Sequence, residues 1–182
     1  MIIAEPLKYA PFEWLDHVQR EGLVFARPIL DDLGISPVQQ TRFDSKEVAA
    51  HIASSREEPA VADPLGFLQA VLGWPVSRIA GAPSGPLLPE LATLALPELD
   101  TVLSADFALI DTRAEDRVLL LVRAEDPGTD PDARGALEGW EASPQQRFER
   151  LLRESGVEAG IPFSDLQLRL VYAPRGETAG WI

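Results

Sequence analysis

The strongest local signal in the chain is a helix start at Ser143. Ser143 can cap the first turn, Pro144 suits the first helical position, and Gln146 stands where a capping box needs its returning side chain. Behind it Phe148, Leu151 and Leu152 form one apolar stripe, and Gly156 supplies the stop. Runs with strand character flank this helix. Residues 101–110 and 117–123 are joined by a short turn from Asp111 to Asp116, which predicts a hairpin. After the helix, residues 160–163 and 166–173 predict a second hairpin about Ser164-Asp165, with Leu168, Leu170 and Tyr172 alternating with Gln167, Arg169 and Val171. A capped amphipathic helix between strand pairs must bury its stripe against a sheet, so the chain is expected to be α/β.

Upstream, Asp63 followed by Pro64 starts a helix over 65–72 that stops at Gly73. The Pro/Gly-rich stretch 80–86 is the main internal seam, and 91–96 reads as a further strand. Nearer the N-terminus the spacing predicts a short helix through 12–18 ending near Gly22, then an extended run over 23–26 closed by Pro28. A helix from Lys46 to about Ser54 is expected to bury Val48, Ala49 and Ile52. The layout is therefore an N-terminal helical extension, 1–62, before an α/β core, 63–182, the two forming one compact domain. From Asp63 onward the order is α-β-β-β-α-β-β. That order resembles the restriction-endonuclease-like core, a mixed sheet flanked by helices, and implies that fold at the level of element order.

Charge narrows the function classes. With 16 Lys and Arg against 29 Asp and Glu, the net charge is −13. Autonomous binding to duplex DNA needs a basic face that releases counterions, so this chain is a poor candidate for it. Cysteine is absent, which rules out disulfides and thiolate metal sites and fits a reducing cytoplasm. No stretch approaches the roughly 20 apolar residues that cross a bilayer, and the first residues lack the basic and apolar regions of a signal peptide.

The nuclease possibility can be examined position by position. Metal-dependent nucleases of this fold place an acidic residue on the second core strand and Glu-x-Lys on the third, where carboxylates hold Mg²⁺. Here Asp106 stands at the first place, and Arg123-Ala124-Glu125 at the second. Arginine thus occupies the glutamate position and glutamate the lysine position, a pattern that favours an ion pair over a cation. Arg147, Arg150 and Arg153 recur every third residue on the Ser143 helix, with Arg169 and Arg175 on the tail. Such a face is ordinarily solvated and laced with ion pairs, and its functional alternative is contact with nucleic acid or a partner. His17 and His51 have no ligand-type neighbours at metal spacing. The loop Gly81-Ala82-Pro83-Ser84-Gly85 lacks a following Lys-Ser/Thr and reads as structural, while of the scattered Trp14, Trp74, Trp140 and Trp181 the two beside glycine, Trp74 and Trp140, read as core-edge aromatics.

Three segments together carry a family resemblance. They are Leu72-Gly73-Trp74, the run from Ser143 to Val157, and the run from Leu168 to Glu177. They resemble the N-terminal region of large bacterial adenine-specific DNA methyltransferases of restriction–modification and phage-defence systems, including DISARM-like ones. The resemblance implies that the methylase core, with its S-adenosylmethionine site and Asn-Pro-Pro-Tyr/Phe tetrapeptide, belongs to a longer parent polypeptide. Asparagine is absent here, so that tetrapeptide cannot occur, and the resemblance carries over no catalytic or cofactor residue. By the family's usual length, the ending Gly180-Trp181-Ile182 is expected to be a truncation or domain boundary.

Three functions follow as expectations. The first is a non-catalytic domain of such a methyltransferase, nuclease-like in fold, used for DNA positioning or for docking on the rest of the polypeptide or other defence proteins. The second is a divergent Mg²⁺-dependent nuclease using Asp106 and Glu125, with Glu98 or Glu149 as further carboxylates. The third is a stand-alone interaction module whose acidic surface meets a basic partner.

Overall fold

The computed structural model describes residues 48–53, 60–61, 63–126, 128–137, 140–164 and 167–182. The core is a mixed sheet with a helix on each face. Helix α1 (Pro64–Ala70) precedes the short strand β3 (Ile79–Ala80), and β6 (Phe107–Asp111) and β7 (Arg117–Ala124) follow as an antiparallel pair. Helix α2 (Pro144–Ser155) then crosses to β10 (Ala159–Ser164), which lies parallel to β7. The sheet continues through β12 (Val171–Tyr172) to β13 (Gly180–Trp181), and β11 (Gln167–Leu168) pairs with the far end of β10. Alternating residues divide the core between the two faces. Leu121 packs with Phe148, Leu151 and Leu152 of α2, whereas Val122 packs with Phe67 and Leu68 of α1, together with Ile161 and Phe163.

Both predicted helix starts are present. Asp63 accepts a hydrogen bond from the Gly66 amide, and Gly73 takes a positive φ just beyond α1. At α2 the Ser143 hydroxyl accepts from the Gln146 amide, while the Gln146 side chain accepts from the Ser143 amide. Together with the C-terminal glycine, this cap stabilises the helix by about 1 kcal/mol.

Several expectations change. Residues 101–110 form two strands: β5 (Thr101–Ser104) makes a separate hairpin with β4 (Thr93–Leu96), and β6 enters the main sheet. The chain turns at Ala105-Asp106, where the Ala105 amide bonds the Ala92 carbonyl and the Asp106 amide the Val122 carbonyl. The main sheet's first strand is accordingly β3, inside the seam, and not residues 91–96. Gly81 makes this possible. Its φ is +89°, and a Cβ there would lie 2.6 Å from the Asp106 carbonyl. The stretch after β7 contains a small hairpin of β8 (Gly135–Leu137) and β9 (Trp140–Ala142).

The two alternating sets of the tail differ in burial. Arg169 and Val171 are buried, while Leu168 is 38% exposed. Arg169 makes a bidentate pair with Asp132 at 2.8 and 2.7 Å, and its guanidinium lies 4.0 Å from the Trp181 ring centre. The hydrogen bond from Arg169, reinforced by its charge, holds the Asp132 carboxyl below its ordinary pKa. The hairpin also breaks at Arg169-Leu170, so that β11 and β12 meet opposite ends of β10.

The expected helix and extended run before residue 29 lie outside the described residues. Residues 48–51 are helical, as expected, but Ala49 is exposed. Ile52 belongs to β1 (Ile52–Ala53), which pairs with β2 (Ala60–Val61), so the helix ends earlier than its apolar spacing predicts.

Gly160 sets how closely α2 approaches the sheet. A Cβ there would stand 2.6 Å from the Phe148 ring and 2.7 Å from the Leu121 carbonyl. Gly160→Ala should therefore lower stability by about 1–3 kcal/mol in urea titrations. Combined with Phe148→Leu, the loss should be smaller than the sum of the single losses, because the crowded ring is gone.

Candidate functional site

The site lies where β7 ends, at the side of the sheet to which the first turn of α2 returns. Asp106 is held by its own backbone bond to Val122, and its carboxylate accepts the Ala124 amide at 2.7 Å. Arg123 projects from β7 and donates Nη1 to the carbonyl and hydroxyl of Ser104, at 2.9 and 3.2 Å. Its Nε stands 3.9 Å from Asp106 and 3.5 Å from Glu125. The two candidate carboxylates therefore converge, with a guanidinium between them. Among the described residues no group of three or more His, Cys, Asp or Glu side chains is placed to hold a metal ion. Glu98 and Glu149, the further carboxylates considered from sequence, are engaged elsewhere. Glu98 takes a 2.7 Å hydrogen bond from Arg150, and Glu149 contacts Gln145 and Arg153.

Glu125 borders two spaces. On one side is a pocket of about 220 Å³, walled by β5, Arg123, Pro144, Arg147, Phe148 and Leu151. On the other is a cavity of about 10 Å³ beside Gln145, Ser164 and Arg169. Gln145 Oε1 and Arg169 Nε are buried without partners and belong to that cavity's walls, whose volume suits a single water molecule. Burial raises the pKa of Glu125 above its ordinary value. Arg123 opposes that rise, Asp106 adds to it, and Arg147 opposes it from a greater distance.

The five arginines do not assemble into one free basic face. Arg147 donates to the Gly135 carbonyl at 3.0 Å, which ties α2 to β8, and its Nε is buried without a partner. Arg150 pairs with Glu98 and lies 5.1 Å from the Trp140 ring centre, and Arg153 pairs with Glu149. Arg169 is the buried partner of Asp132. Arg175 donates to the Arg153 and Glu154 carbonyls at 2.6 and 2.7 Å, supplying positive charge to the last turn of α2.

No family model, curated protein or solved structure matches the chain. Among the described residues, no helix is long and apolar enough to cross a membrane. His51, on the first described helical turn, meets the edge of Phe67 at 6.4 Å between ring centres. The contribution of Arg147 to the pocket could not be found from strand motifs, because it comes from a helix more than twenty residues further along. Its one sequence signal is its place three residues beyond Pro144, on the side of α2 that also bears Phe148 and Leu151.

The displaced pKa of Glu125 gives a test with a definite sign. A carboxyl held above its unfolded pKa contributes stability at low pH and loses that contribution as the pH rises through the folded value. Glu125→Gln should consequently raise Tm at neutral pH by about 1–2 °C. The gain should vanish as the pH falls below the ordinary carboxylate range, in thermal melts across pH.

Proposed function

We propose that this chain is a non-catalytic docking domain with a nuclease-like core, serving as the N-terminal part of a defence-associated adenine-specific DNA methyltransferase. One observation carries the non-catalytic reading: the Arg123 guanidinium stands between Asp106 and Glu125, where a nuclease would hold its cation. A hard dication needs several oxygen ligands and an open approach. With a guanidinium already between the two carboxylates, a second positive centre would be repelled, so these residues do not fit Mg²⁺. The order of α1, β3, β6, β7, α2 and β10 supports the nuclease-like reading, since three antiparallel neighbours are followed by a crossover helix and a parallel fourth strand.

Docking is favoured over direct DNA binding by charge. The chain carries −13, and the five candidate arginines all have intramolecular partners. Those five are therefore not free to release counterions from a phosphate backbone. DNA is reached through the assembly, and S-adenosylmethionine belongs to the parent enzyme. The methyltransferase context itself rests on the resemblance of the Ser143–Val157 and Leu168–Glu177 segments.

Two measurements test this reading. Incubated with DNA and Mg²⁺ or Mn²⁺, the chain should not cut, and calorimetry should detect no Mn²⁺ binding. Arg123→Ala should acquire weak Mn²⁺ binding, because it frees two converging carboxylates. Metal-dependent cleavage abolished by Asp106→Ala would instead establish the divergent nuclease. For the context, the reading frame of the gene should continue into a methylase with an Asn-Pro-Pro-Tyr/Phe tetrapeptide. A frame that encodes no methylase would overturn that part.

A further inference from the structure

The β4–β5 hairpin is covered on one side only. Toward the core, Ala92, Leu96 and Leu103 are buried with Leu151 and Leu152 of α2, and Leu88, Leu94 and Leu99 pack against them. The intervening residues face outward. Leu87 is 93% exposed, Leu91 40% and Val102 60%, and Ala95, which faces Val102 across the ladder, is exposed as well. Neither strand contains a charged residue, although the outer face of a solvated hairpin ordinarily carries charged and polar side chains. The loop that presents Leu87 is fixed on both sides of it. The Pro86 carbonyl accepts the Gly81 amide at 2.9 Å, and Leu88 packs on the core. Exposed apolar side chains held in place and joined along one element mark a surface made for contact.

Charge and width define what fits there. Between Pro86 and Ser104 stand Glu90, Glu98 and Asp100 and no basic residue. Glu98 is answered by Arg150. Glu90, beside Leu91, and Asp100, at the hairpin turn, are exposed and make no ion pair among the described residues. At Ser104 the face meets Arg123, whose charge is already answered by Asp106 and Glu125. Two strands about 4.8 Å apart make a strip about 10 Å wide, the diameter of one helix. A second copy of the chain would bring its own acids and its net charge of −13 to the same place, so like charge disfavours it.

We propose that the outer face of the β4–β5 hairpin docks a basic amphipathic helix of a partner, with its apolar stripe over Leu87, Leu91 and Val102 and its Lys or Arg side chains on Glu90 and Asp100. The assignment rests on the docking reading and adds to it the surface used and the chemistry of the partner. A helix so placed covers the hairpin from outside as α2 covers it from within, which completes the layering that an apolar hairpin requires.

Fluorescence anisotropy on the full chain tests this with a labelled helical peptide of about 18 residues, leucine at i, i+3, i+4 and i+7 and arginine between. The peptide should bind saturably at one site, and more weakly as salt is raised. A peptide of the same composition with its leucines dispersed, and one with glutamate in place of arginine, should each bind roughly tenfold more weakly. Leu87→Ser, at a position that adds nothing to the core, should weaken binding roughly tenfold. Val102→Thr keeps the β-branched shape and should weaken it roughly threefold. Glu90→Gln combined with Asp100→Asn should weaken binding and flatten its salt dependence, and asparagine suits the left-handed backbone at that turn. Glu177→Gln, on the connection between β12 and β13, should change nothing. No saturation at millimolar peptide would overturn the assignment, as would equal affinity for the dispersed-leucine peptide or affinity unchanged by Leu87→Ser and Val102→Thr. Dimerisation of the chain that Leu87→Ser abolishes would give the face to a second copy and overturn the basic partner. None of these outcomes bears on the metal titration that decides the non-catalytic reading.

Discussion

The close approach of α2 to β10 governs the rest of the molecule. The Phe148 ring occupies the space that a side chain at Gly160 would fill, and Leu121 of the neighbouring strand borders the same contact. With the helix so close, the chain leaving β7 crosses over α2 and returns beside β7 in parallel, pairing Gly160 with Leu121 and Phe163 with Ala124. The helix runs antiparallel to both strands, so its first turn arrives where they end. Ligand sites in α/β folds gather at such carboxyl ends for the same geometric reason. Here it brings Pro144 and Arg147 to Arg123 and Glu125.

The charges follow from that meeting. The arginines on and around α2 are committed to the protein's own architecture. Arg175 supports the last carbonyls of α2, Arg169 anchors the loop bearing Asp132 while stacking on Trp181, and Arg150 joins the β4–β5 region to the helix through Glu98. Arg123 offsets the mutual repulsion of Asp106 and Glu125 by attraction to both. Burial nevertheless outweighs that attraction at Glu125, whose carboxyl is shifted toward its neutral form. A poorly solvated acid beside a guanidinium is a different chemical environment from a metal site built of carboxylates.

Local signals were legible wherever one residue type serves one geometric need. Asp63 and Ser143 cap helices because their short side chains reach the free amides, and Gly73 and Gly156 follow those helices with positive φ. The strand motif was legible too: Asp106 and the Arg123-Ala124-Glu125 run do meet. Alternation in the tail left its buried face open, and Leu168 is exposed. The chain instead buries Arg169, whose charge is answered by Asp132 from a loop almost forty residues earlier. Two-residue strands such as β3 and β12 have no periodicity of their own and take their identity from the strand they pair with.

By itself the sequence determined the class of the fold, the positions of its capped helices, and the impossibility of an adenine-methylating tetrapeptide in a chain without asparagine. Those are properties of residue types and near neighbours. Tertiary structure alone decided that the continuous run 101–110 divides between two sheets, that Arg169 lies inside, and that Arg147 joins Arg123 and Glu125 around one pocket. Each of these depends on a partner distant in the chain: Ala92 and Val122 for the turn at Asp106, Asp132 for Arg169, and Gly160 for the helix that carries Arg147. The energy of such a contact is a property of the pair, and a linear sequence does not state which pairs will meet.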